Sequence, residues 1–197
     1  MESFADGGRS HSYNFLHLSI QELLAAIHMA TQLEPSQQVA KFRELFGRAR
    51  FSAVFQFYAA NTKLQTSGID EIVVEAVQEC LRNKRATQLT SNSSGHDPNS
   101  GGSDSGGEPQ PLLLSLLHCL FEAQDNTLCQ LVVKELNLKL DLSDISLNPA
   151  DCLSVGYFLT HCKEFEVQVY LRGCSIGDDG CKTLFRRGEV YNLRHLR

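Results

Sequence analysis

The spacing of apolar residues divides the chain into two regimes. From Ile20 to about Cys80 they recur every three or four positions, the period of helices with one buried stripe. In SIQELLAAIHMATQL, the residues Ile20, Leu23, Leu24, Ile27 and Ala30 share a face, Ser19 and Glu22 form a capping box, and Pro35 ends the run. A second helix is predicted from about Ser36, with Val39, Phe42, Leu45 and Phe46 on its buried face and Gly47 as its exit. A third, FSAVFQFYAA, aligns Phe51, Val54, Phe55 and Tyr58 and turns Phe57 elsewhere, which makes Phe57 a candidate contact residue. A fourth, from about Ser67 to Leu81, buries Ile69, Ile72, Val73, Ala76, Val77 and Cys80.

Residues 85–110 are then rich in Ser, Gly, Asn and Asp, with almost nothing apolar. Such a segment has too little apolar surface to offset its ordering entropy, so a disordered insert is expected. Pro111 opens the next predicted helix, with Leu113, Leu116, Leu117, Leu120 and Phe121 inward. Thr127 and Gln130 suggest a capping box for a shorter helix carrying Leu128, Leu131 and Val132.

At Leu136 the period switches to two. LNLKLDL alternates Leu136, Leu138, Leu140 and Leu142 with polar residues and predicts a strand. Asn148 and Pro149 cap and open a helix, FEVQVYL forms a second alternating strand, and Gly177-Asp178 lead into a helix holding Cys181, Leu184 and Phe185.

These last units repeat. Leu140, Leu142, Ile145 and Leu147 fall on Val169, Leu171, Cys174 and Ile176 at an offset of 29, which also carries Cys152 onto Cys181 and Val155 onto Leu184. VYLRGCSIGDDG fits the L-x-L-x-x-N/C-x-L core of a leucine-rich repeat, and Leu193-Arg194-His195-Leu196 reads as the start of a third strand. Strand leucines of this kind are buried only against equivalent strands of neighbouring repeats. The expected fold is therefore an α-helical domain followed by the start of an α/β leucine-rich-repeat solenoid of the ribonuclease-inhibitor type. Its expected divisions are residues 1–18, a helical regulatory domain over 19–134, and repeats over 135–197. The polar positions between the strand leucines, Lys139, Asp141, Gln168, Tyr170 and Arg172, would line a concave partner-binding face, with an ordinary solvated strand face as the alternative.

Composition narrows the function. A chain of 197 residues with net charge −5 and no basic block offers nothing electrostatic to nucleic acid or an anionic membrane. No apolar run approaches bilayer length, and residues 1–14 have no apolar signal-peptide core, so a cytoplasmic location is expected. Seven cysteines at irregular spacings suit core thiols rather than a disulfide framework. His118-Cys119 and His161-Cys162 lack zinc spacing, and Asp178-Asp179 suit a helix N-terminus better than acid–base chemistry. No metal, cofactor or small-molecule substrate is expected.

Three stretches resemble the NOD-like receptor family, nucleotide-binding NACHT proteins with leucine-rich repeats. Tyr13-Asn14-Phe15-Leu16-His17-Leu18-Ser19-Ile20-Gln21-Glu22-Leu23-Leu24-Ala25-Ala26 resembles the Y-x-F-x-H-L-x-x-Q-E-F-x-A-A signature joining that family's winged-helix and second helical domains. Leu116 to Ala123 resembles a later helix of the helical domain, and Asp151–Leu159 with Cys174–Cys181 resembles the beginning of the repeat array. The resemblance implies residues 1–18 as the end of a winged-helix region and His17 as an interdomain contact; read alone, His17 could equally be a satisfied buried histidine. No G-x-x-x-x-G-K-[ST] loop is present, so nucleotide binding is not carried over, and a fragment or truncated relative is expected. The resulting expectation is a non-catalytic regulatory and protein-recognition segment of a cytosolic innate immune receptor, with proteins as partners. The alternative is a stand-alone helical and leucine-rich-repeat adaptor or scaffold.

Overall fold

The computed structural model describes residues 17–46, 48–62, 68–91, 112–185 and 193–196. Among them the chain is mostly helical, with eight α-helices and five short strands. In order these are α1 (Leu18–Gln32), α2 (Pro35–Leu45), a 3-10 turn (Ala49–Phe51) running into α3 (Ser52–Thr62), α4 (Ile69–Ser91), α5 (Leu112–Ala123), α6 (Asn126–Glu135), β1 (Lys139–Asp141), β2 (Ser146–Leu147), α7 (Pro149–His161), β3 (Val167–Tyr170), β4 (Ser175–Ile176), α8 (Asp178–Phe185) and β5 (Leu193–Leu196).

Local chemistry sets several helix starts, though not always with the residues expected. His17, not Ser19, is the N-cap of α1, and its side chain makes no capping bond. Pro35 does not merely stop α1; it is the first residue of α2, which begins on a capping box between Glu34 and Gln37. Asp125, rather than Thr127, caps α6, its carboxylate accepting from the Thr127 and Leu128 amides. Asn148 caps α7 as expected, and Asp151 completes its capping box. The fourth helix runs ten residues past its predicted end, to Ser91, so residues 85–91 of the expected disordered insert are helical. The rest of the insert, Pro111 and Gly47 lie outside the described residues.

One continuous apolar cluster extends from Ala26 to Leu184. Phe42 stacks on Phe46 with ring centroids 4.8 Å apart, and Phe55 meets both edge-on. The buried Tyr58 hydroxyl donates to Gln38 Oε1 at 2.7 Å, and Gln38 Nε2 donates to the Leu33 carbonyl at 2.9 Å, so one polar chain pins α2 to α3 and to the end of α1. Phe57 is half-buried and packs against the same core, contrary to its expected role as an outlying contact.

The helix at the N-terminal side departs most from expectation. α1 packs on α3 through Ala26 and Met29. The residues expected inside, Ile20, Leu23, Leu24 and Ile27, are 39–50 % exposed.

The strands are parallel. β1 pairs with β3 in the register Lys139↔Gln168, Leu140↔Val169, Asp141↔Tyr170, and β2 pairs with β4 as Ser146↔Ser175 and Leu147↔Ile176. Every one of these partners is 29 residues apart, the offset found in the sequence. β5 adds in parallel beyond β3 with a register shift after Val167, its pairs being Val167↔Leu193, Gln168↔His195 and Val169↔Leu196. Each link between consecutive strands of this sheet carries a helix, as parallel pairing requires. The first strand is shorter than the leucine alternation predicts. Leu136 is the C-cap of α6, and Asn137 and Leu138 take left-handed backbone angles to turn the chain, so only Lys139–Asp141 is extended.

Candidate functional site

Leu140 and Val169, the central register partners, are fully buried. Side chains alternate across a strand, so Lys139, Asp141, Gln168 and Tyr170 stand together on the opposite face. Parallel pairing sets Lys139 beside Gln168 and Asp141 beside Tyr170. The Tyr170 hydroxyl donates to Gln168 Oε1 at 2.9 Å, which ties the ring to its neighbour along the strand. Asp141 Oδ1 accepts from the Ser143 amide at 3.1 Å. Arg172 lies just past the end of β3, exposed, and its carbonyl accepts from the Asp144 amide at 2.8 Å. Four of the five residues singled out in the sequence, Lys139, Asp141, Gln168 and Tyr170, are thus brought together on one strand face, and Arg172 follows in the turn beyond β3. The backbone register of β3 with β5 sets Gln168 beside His195.

The loop following this face repeats as well. Asp144 (φ 62°) and Gly173 (φ 70°), 29 residues apart, both take left-handed angles, and the Asp144 carboxylate lies over the Gly173 Cα. Cys174 Sγ donates to the Leu142 carbonyl at 2.9 Å, tying the second turn back to the first.

His17 does not meet this row. It is exposed at the start of α1, where its carbonyl accepts from the Ile20 and Gln21 amides, so the buried-histidine alternative does not hold.

A second polar cluster is buried. His118 on α5 and Asp151 in the first turn of α7 approach to 3.0 Å, Nε2 to Oδ1, with side chains 12 % and 3 % exposed. The His118 ring is the polar group that the buried Oδ1 faces. Asp151 Oδ2 accepts from the Asn148 amide at 2.8 Å, and Gln56 Nε2 of α3 lies 3.4 Å from His118 Nδ1. The cluster joins three helices.

Several thiols share this interior. Burial pushes Cys80, Cys119 and Cys129 up to about 12, and drives Cys162 further in the same direction. Such thiols are poor nucleophiles at neutral pH. The repeat-related pair Cys152 and Cys181 splits: Cys152 is buried, whereas Cys181 is exposed and does not belong to the core as expected. Among the described residues no group of three or more His, Cys, Asp and Glu could hold a metal ion, and no helix is long and apolar enough to cross a membrane.

Comparison with protein-family models, curated proteins and solved structures finds no match to this chain.

Two features escaped the sequence reading. The contact between His118 and Asp151 spans 33 positions, and the only signal was a histidine on the apolar face of a helix. The exposed stripe of α1 was visible as a stripe, but nothing in the sequence marked it as facing outward.

Proposed function

We infer that this chain is a non-catalytic protein-recognition and regulatory segment of a cytosolic NOD-like receptor, in which a helical domain leads into the first leucine-rich repeats. The observation carrying this reading is the parallel pairing of β1 with β3 at the repeat offset of 29, which sets Lys139, Asp141, Gln168 and Tyr170 side by side on an open strand face. In a solenoid each added strand would extend that face. The row suits recognition of a protein surface: a tyrosine already held by a hydrogen bond loses little freedom on binding, and flanking cations and a carboxylate select a complementary pattern. The resemblance of residues 13–26, 116–123 and 151–159 supplies the receptor context, with autoinhibition by the receptor's own domains or sensing of an immune ligand as the role.

The test is photo-crosslinking in cells through an unnatural amino acid at Gln168. A discrete protein adduct is expected, and it should vanish when Tyr170 and Arg172 are replaced by alanine. If the double variant keeps every interaction of the parent chain, the strand face is not the recognition surface.

A further inference from the structure

We draw no further inference here: the strongest candidate, the exposed apolar surface patch of Ile20, Leu23, Leu24 and Ile27 on α1, carries none because nothing among the described residues shows what covers it.

Discussion

His118 Nε2 lies 3.0 Å from Asp151 Oδ1, buried between α5 and the first turn of α7, so a single carboxylate both closes a helix cap and faces a ring from the preceding helical layer. Asp151→Ala would remove the capping acceptor for the Asn148 amide and leave His118 without its anion. The expected loss is about 2–3 kcal/mol in urea unfolding. In a double-mutant cycle with His118→Ala, a coupling of about 0.5 kcal/mol or more is expected for residues in contact. Strict additivity would show that the two groups are merely near each other.

The aromatic cluster under α2 and α3 carries a second prediction. Phe55 is 1 % exposed and meets Phe42 and Phe46 edge-on. Phe55→Ala should cost roughly 3–5 kcal/mol through lost burial and the cavity left behind. A change under about 1 kcal/mol in the same assay would mean that the helical part is not packed as described.

Gly173 is the third. At φ 70° any side chain is strained, and a Cβ there would collide with the Asp144 carboxylate, an exposed group able to swing aside. The penalty that remains is the backbone one, about 1–2 kcal/mol for Gly173→Ala. Asp144→Gly at the equivalent left-handed position should be neutral or mildly stabilising, since glycine adopts that angle without strain. Thermal melts of the two variants should therefore move in opposite directions, or Asp144→Gly should not move at all.

The buried thiols predict an alkaline limit. Cys80, Cys119 and Cys129 are each raised from 9.0 to about 12 by burial, so the fold holds their protonated forms. The unfolded chain releases these protons near its ordinary thiol range, whereas the folded chain keeps them to higher pH. Their contribution is full below about pH 9 and is lost as pH climbs toward 12. The urea midpoint should fall across that window, and a serine at Cys119 should flatten part of the fall. Under native conditions at neutral pH an alkylating reagent should modify Cys181 well before these three. Equal rates for all four would contradict the burial.

How much of this was legible beforehand follows from the range of each interaction. Helix periodicity is a local property, and all the predicted helical segments are helices, with ends displaced where Glu34, Asp125 and His17 act as caps instead of the residues expected. The 29-residue offset is also written in the chain, as apolar residues at matching places; pairing of Leu140 with Val169 then follows from burying them together. Strand length was not legible in the same way. The alternation beginning at Leu136 is real, yet the turn at Asn137 and Leu138 that brings the chain out of α6 takes two of those positions from the strand.

What the sequence by itself determined is the helices, the strands around Leu140 and Val169 and the offset of 29 between them, since these depend on periods of two, 3.6 and 29 residues. What only the tertiary structure decided is which apolar stripe is covered. α1 has two candidate faces, one lined by Ile20, Leu23, Leu24 and Ile27 and one by Ala26 and Met29. The face with Ala26 and Met29 is the one that meets α3, and which face fits is a property of the pair that neither helix carries alone. The meeting of His118 with Asp151 has the same origin: two polar residues 33 positions apart become neighbours only when α5 and α7 pack.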